Sequence, residues 1–174
     1  AQIIDLLPWD DVLPAARRAL EDLAPFHLGM LIDAMLDPAS DFVIRRRLPR
    51  IVRTVGSHRS LEGLVDGLND ARFEVRYHCS RAIGRILTSN PELSLDRART
   101  IAVVERELSV PPQRWRGYHL LDRPEIGEQA GSSVPTEDSS RFREHIFLLL
   151  ATIVGREPLD GLGDAGVQGA LPVV

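Results

Sequence analysis

Two stretches of this chain are one unit written twice. Leu28, Leu31, Ile32, Asp33, Met35 and Asp37 recur 33 positions later as Leu61, Leu64, Val65, Asp66, Leu68 and Asp70. A second run of Phe42, Ile44, Arg45, Leu48, Arg50, Ile51, Val52 and Val55 recurs 31 positions later as Phe73, Val75, Arg76, Cys79, Arg81, Ala82, Ile83 and Ile86. A repeat of this length constrains the architecture more than any local propensity. Each copy is one supersecondary unit that cannot cover its own apolar faces, so neighbouring copies must stack.

Within each copy the first run has i, i+3, i+4, i+7 spacing, the signature of a one-sided helix. Asp37-Pro38 and Asn69-Asp70 break the chain after it. The second run is again helical, with Gly56 and Asn90-Pro91 as stops. The expected fold is therefore all-α, an α-solenoid of stacked helical hairpins. A single domain over 1–174 divides into an N-terminal helix (1–23), a repeat (24–56), a second repeat (57–90), a degenerate third (91–123), a flexible loop (124–138), and a C-terminal helix with an irregular tail (139–174).

Local signals refine the flanks. Asp10 or Asp11 is suited to cap the first helix, whose apolar positions are Val12, Ala15, Ala16, Leu20 and Leu23. Pro25 is suited to open the next. Asp96 can cap a helix with Ala98, Ile101, Val104 and Leu108 inward. A second helix of that unit would hold Trp115, Tyr118 and Leu121 as core. Ser139 or Ser140 can cap a last helix from Arg141 to Val154, with Phe142, His145, Ile146, Leu149, Leu150 and Ile153 inward.

These residues resemble HEAT repeats in the short form common in bacteria. LIDAMLDP with FVIRRRLPRIV, and LVDGLND with FEVRYHCSRAIGRIL, carry the hallmark: an apolar helix, an Asp at the turn, then a Val/Ile-Arg pair opening the second helix. The likeness covers about Pro25 to Leu87. It implies a right-handed, ARM-type superhelix in which Asp37, Arg45, Asp70 and Arg76 link adjacent repeats. It also implies a concave binding face lined by second helices. A fainter similarity, carried by FVIRRRLPRIV, FEVRYHCSRAIGRI, VERELSV, REHIFLLL and REPL, is to HEAT-bearing soluble regions of bacterial membrane proteins of the major-facilitator or nucleotide-translocase type. Those regions continue with a further helical repeat after REPL, whereas here Asp160 to Val174 is Gly-rich.

All 21 basic residues are Arg, so every cation is a planar fork suited to carboxylate or phosphate and none is a lysine nucleophile. They are unevenly placed. Residues 41–85 hold ten Arg and five acids, net +5, in a chain of net charge −4. On a helical projection Arg46, Arg50 and Arg53 lie opposite the apolar stripe, and Tyr77 and Arg81 take the matching positions of the next copy. The candidate partner-binding residues are thus Arg46, Arg50, Arg53, Tyr77, Arg81 and Arg85, a ridge for acidic or anionic ligands. The expected partner is another protein or an acidic peptide segment. The alternative is a nucleic-acid-binding module, which the negative overall charge disfavours.

No catalytic, cofactor or metal site is expected. His27, His58, His78, His119 and His145 have no metal-ligand spacing. Gly161, Gly163 and Gly166 follow no strand, which disqualifies them as a dinucleotide motif. Asp33 and Asp66 recur on first helices, as scaffold residues do. The lone Cys79 excludes an internal disulfide and fits a reducing compartment. No apolar run is long enough to cross a bilayer, the best being Ile146 to Val154. The expected location is cytoplasmic, including the cytoplasmic face of a membrane if the chain is tethered there as part of a larger protein. The absence of an initial Met is what a fragment or a trimmed chain would show.

Overall fold

A computed structural model describes residues 2–109 and 136–154. All its regular structure is helical. A 3-10 turn at Ile4–Leu6 precedes α1 (Leu13–Leu36), α2 (Phe42–Val52), α3 (His58–Gly67), α4 (Phe73–Ser89), α5 (Arg97–Ser109) and α6 (Thr136–Val154). α2, α4 and α6 lie side by side in that order. α1 packs on α2 and α3, α3 on α4, and α5 on α6. No helix among the described residues is long and apolar enough to cross a membrane.

The duplicated unit folds as two hairpins with the expected faces. Leu28, Leu31, Ile32 and Met35 are buried, as are Leu61, Leu64, Val65 and Leu68. So are Ile44, Leu48, Ile51 and Val52, with Val75, Cys79, Ala82, Ile83 and Ile86 in the second copy. The Asp41 carboxylate accepts from Val43 N at 2.6 Å and the Ser57 hydroxyl from Ser60 N at 3.2 Å, starting α2 and α3. Asn90 closes α4, its Nδ2 donating to the Ile86 carbonyl at 2.9 Å. Gly56, with φ +57, makes the left-handed turn after α2 that a side chain would oppose. Gly63 and Gly67 let α3 sit close to its neighbours. An added Cβ would stand 2.7 Å from Ile32 Cδ1 at the first and 2.6 Å from Cys79 Sγ at the second.

Several local expectations are corrected. The first two helices follow one another without a loop, and the kink that divides them falls at His27 (φ −125, ψ 22), two residues after Pro25. Pro25 removes one backbone hydrogen bond and crowds the preceding turn. The apolar stripe nevertheless continues across it through Leu20, Ala24, Leu28 and Leu31, so the helix bends without stopping. Of its forecast apolar positions, Val12, Ala15 and Leu23 are exposed. Val12, not an aspartate, stands at the N-cap and makes no side-chain bond there, while Asp10 pairs with Arg47 at 2.7 Å.

In α5 the Asp96 cap holds, accepting from Ala98 N at 2.9 Å, but the face is different. Thr100, Val103, Val104 and Glu107 are inward, whereas Ile101 is 36% and Leu108 59% exposed. An ion pair to Glu107, described below, turns that face inward. α6 begins at Thr136, ahead of the expected serine cap. It buries His145, Ile146 and Leu149 but leaves Leu150 at 37% exposure. α6 packs beside α4; the segment between α5 and α6 was expected to hold the helix with Trp115 and Tyr118. That segment, most of the loop at 124–138 and the tail after Val154 lie outside the described residues.

Arginines tie each hairpin to the next. Arg45 of α2 pairs with Asp70, at the turn of the following hairpin, and donates to the Met35 carbonyl at 3.3 Å. Asp70 also accepts from Arg72 N at 2.8 Å. Arg76 of α4 reaches forward to Glu107 of α5, Nε to Oε1 at 2.8 Å and Nη2 to Oε2 at 3.4 Å. The two residues are 6% and 2% exposed. Arg99–Asp66 at 2.6 Å and Arg106–Asn69 at 2.5 Å join α5 to α3 and the turn after it, at the surface. Glu107 thus stands where the degenerate unit has no turn aspartate.

A buried pair contributes little net stability against an apolar replacement, but removing one partner strands a charge. Glu107→Leu should therefore lower the unfolding free energy by about 3–5 kcal/mol. Arg76→Met in the same chain should recover most of that. It should fall short by roughly 1–2 kcal/mol, for the hydrogen bonds that Arg76 Nη1 gives the Asp70 and Ala71 carbonyls. Urea midpoints of the two singles and the double measure this coupling.

Candidate functional site

The six ridge residues do not share one environment. Arg46 is half-buried, pairs with Glu74 at 3.1 Å and stacks 5.4 Å over the Phe42 ring. Glu74 also holds Arg141 of α6 at 3.7 Å. Tyr77 is 6% exposed, and its hydroxyl donates to Glu144 Oε2 at 2.7 Å. It is not part of an exposed ridge, because α6 lies across the face of α4 that a lone helix would leave open. Arg81 lies 5.7 Å over the Tyr77 ring and pairs with Glu144 at 3.6 Å, both side chains about half exposed. These three residues, with Glu74 and Glu144, hold α2, α4 and α6 together.

Arg50, Arg53 and Arg85 remain. Arg50 and Arg85 are exposed and Arg53 is half-buried. None of the three makes an ion pair among the described residues, although most of the other described arginines do. Arg53 and Arg85 line one depression of about 310 Å³ with Thr54, Gly56, Ser89 and Asn90, and no carboxylate lines it. Arg85 also borders a larger groove of about 470 Å³ between α4 and α6, with Arg81, Gly84 and Thr88 on one side and Glu144, Leu148 and Ala151 on the other. The two hollows meet at Arg85. Arg50 and Arg53 lie at the C-terminal end of α2, where cations complement the helix dipole and help retain themselves. The surface they make can attract an anion. It has no group positioned to do chemistry on one.

A buried polar cluster escaped the sequence reading. Ser80, Arg76, Glu107 and His145 meet where α4, α5 and α6 join, all at 6% exposure or less. His145 Nδ1 lies 2.8 Å from Ser80 Oγ. The Ser80 hydroxyl donates to the Tyr77 carbonyl at 2.8 Å, so Nδ1 carries the imidazole proton and Oγ accepts it. His145 Nε2 is buried without a hydrogen-bond partner, 3.9 Å from Glu107 Oε2. The Phe73 ring meets the imidazole edge-on at 5.5 Å. Ser, His and Glu in this order resemble a nucleophile relay, but Ser80 is fully buried and borders neither hollow. The cluster is a packing device. The signal that could have shown it is Ser80, a polar residue on the apolar side of α4 between Cys79 and Ala82.

Burial, then the Arg76 and Arg106 charges, bring the His145 pKa down to about 3. Burial likewise pushes the Cys79 thiol up and makes it inert. No group of three His, Cys, Asp or Glu side chains among the described residues is placed to hold a metal ion. Searches against protein-family models, curated proteins and solved structures found no match to this chain.

The imidazole predicts a pH dependence. His145 takes a proton in the unfolded chain below about pH 6.5 but in the folded chain only near pH 3. The unfolded state therefore binds more protons in that window, and stability falls as pH falls through it, by up to about 1.4 kcal/mol per pH unit. In His145→Phe this contribution disappears. The urea midpoint of the variant should change less between pH 7 and pH 4.5 than that of the parent chain. Equal slopes would mean that His145 is protonated in the folded protein.

Proposed function

We propose that this chain is a HEAT-like α-solenoid scaffold, without catalytic activity of its own, that holds an acidic segment of another protein against the face of α2, α4 and α6. The observation that carries the reading is the trio Arg50, Arg53 and Arg85. Where arginines find carboxylates inside the fold, they join helices; these three face outward with none. A guanidinium in that position is suited to a bidentate carboxylate. The duplicated hairpins and the Arg45–Asp70 link between them support the solenoid part, since a repeat architecture needs such a join at each step.

A protein ligand suits the charge distribution better than nucleic acid. The chain is negative overall, which repels a polyanion at long range, and Glu74 and Glu144 interrupt the basic face. A short acidic segment needs only local complementarity. Its contacts are at the rim of the surface and will be felt mainly in association rate and salt dependence.

Fluorescence anisotropy tests this with labelled oligoglutamate and with oligothymidylate of equal charge. Oligoglutamate should bind, and tighten as salt is lowered. The triple variant Arg50→Glu, Arg53→Glu, Arg85→Glu should weaken it by roughly tenfold or more, at up to about 1 kcal/mol for each exposed pair. Reversing the exposed Arg18 of α1 should change little. No binding of oligoglutamate at low salt sinks the reading, and a preference for oligothymidylate transfers the face to nucleic acid.

A further inference from the structure

Gly84 differs from Gly63 and Gly67, the two glycines of α3. It sits inside α4, where glycine costs about 1 kcal/mol relative to alanine. At Gly63 and Gly67 the cost is required, because a Cβ would stand under 3.0 Å from Ile32 or Cys79. At Gly84 nothing among the described residues requires it. The nearest atom to an added Cβ is Leu148 Cδ2 at 3.5 Å, an ordinary contact. The first copy of the repeat carries Arg53 at the corresponding position. Among the described residues the missing side chain relieves no close contact and has one visible consequence: it deepens the groove between α4 and α6.

That groove has two characters. Gly84, Leu148 and Ala151 present carbon, while Arg81 and Arg85 stand at its edge and Arg53 just beyond. One carboxylate, Glu144, faces them, paired to Arg81 at 3.6 Å with both side chains about half exposed. An exposed pair of this kind is worth under about 1 kcal/mol, so an incoming carboxylate can exchange with it. The volume, about 470 Å³, falls in the range of sites that enclose ligand groups and exceeds the need of a carboxylate alone.

We infer that the groove over Gly84 takes one apolar side chain of the bound segment, and that Arg81, Arg85 and Arg53 take the acidic residues on either side of it. The ligand is then an acidic segment with an apolar anchor, not a uniform polyanion. This rests on the acidic-segment reading above and adds to it the requirement for an anchor. In the usual division of labour at interfaces, the anchor supplies affinity and the arginines supply orientation.

The test uses the full chain and two labelled peptides: oligoglutamate with a single central leucine, and the same peptide with glycine there. The leucine peptide should bind about tenfold more tightly, the scale expected for burying one aliphatic side chain. Gly84→Leu, which fills the groove from within, should remove that preference and leave affinity for the glycine peptide unchanged. Gly84→Ala should reduce the preference while raising the thermal midpoint, because it relieves a helix-interior glycine at no steric cost. This variant keeps the test valid if the leucine variant folds poorly. Equal affinity for the two peptides in the parent chain, or a preference that survives both substitutions, overturns the anchor and leaves the acidic-segment reading standing. Failure of both peptides to bind overturns the two together.

Discussion

Everything in this fold is hung on arginines that point from one hairpin into the next. Two helices joined by a tight turn have two apolar faces and no means of choosing the angle at which a neighbour covers them. Hydrophobic burial is non-directional and would accept many registers. Arg45 on Asp70, and Arg76 on Glu107 and on the carbonyls of its own turn, narrow that choice. Each guanidinium presents donors in a fixed plane, so a displaced neighbour would strand a buried charge. We regard the pairs as selecting one stacking geometry; the aliphatic stripes behind them supply most of the driving force.

The same residue type does a different job on the next face of the same helices. Among the described residues Arg46 and Arg141 share Glu74, and Arg81 pairs with Glu144. Those acids sit between rows, Glu74 facing both α2 and α6 and Glu144 facing α4, so the surface pairs also bind helix to helix. Because they are partly exposed they are individually weak, and salt or a competing anion can loosen them. The basic face is graded for this reason. It is neutralised where α4 meets the start of α6 and unpaired toward Arg50, Arg53 and Arg85.

The repeat was legible because it is written in apolar spacing, and spacing survives folding: nearly every stripe position in the two copies is buried. What failed to be legible depends on a neighbour that a helical projection does not contain. Tyr77 projects outward from α4 taken alone, and only α6 on top of it makes it an interior residue holding Glu144. The face of α5 was misjudged for a related reason. Ile101 and Leu108 outweigh Thr100 and Glu107 on any hydrophobicity scale, but a buried arginine on α4 needs a carboxylate more than that contact needs two more aliphatics. Pro25 was legible as a boundary between two helices, but the kink falls two residues later, at His27, because burial continues on both sides and leaves no room for a loop.

Unequal copies of a repeat carry information that equal positions do not. The stripe residues agree in apolar character between the copies, and that agreement is what stacking requires. At the position of Arg53 the second copy has Gly84, a change from the longest cation to no side chain at all. Neither residue is demanded by the core: Arg53 makes no ion pair among the described residues, and the space beside Gly84 would admit a methyl group. A position free of packing constraint would ordinarily drift toward good helix formers, since each such change is worth a few tenths to about 1 kcal/mol. Glycine in mid-helix runs against that drift. The difference between the two copies is therefore best understood from outside the fold. One copy supplies charge to the face and the other supplies depth.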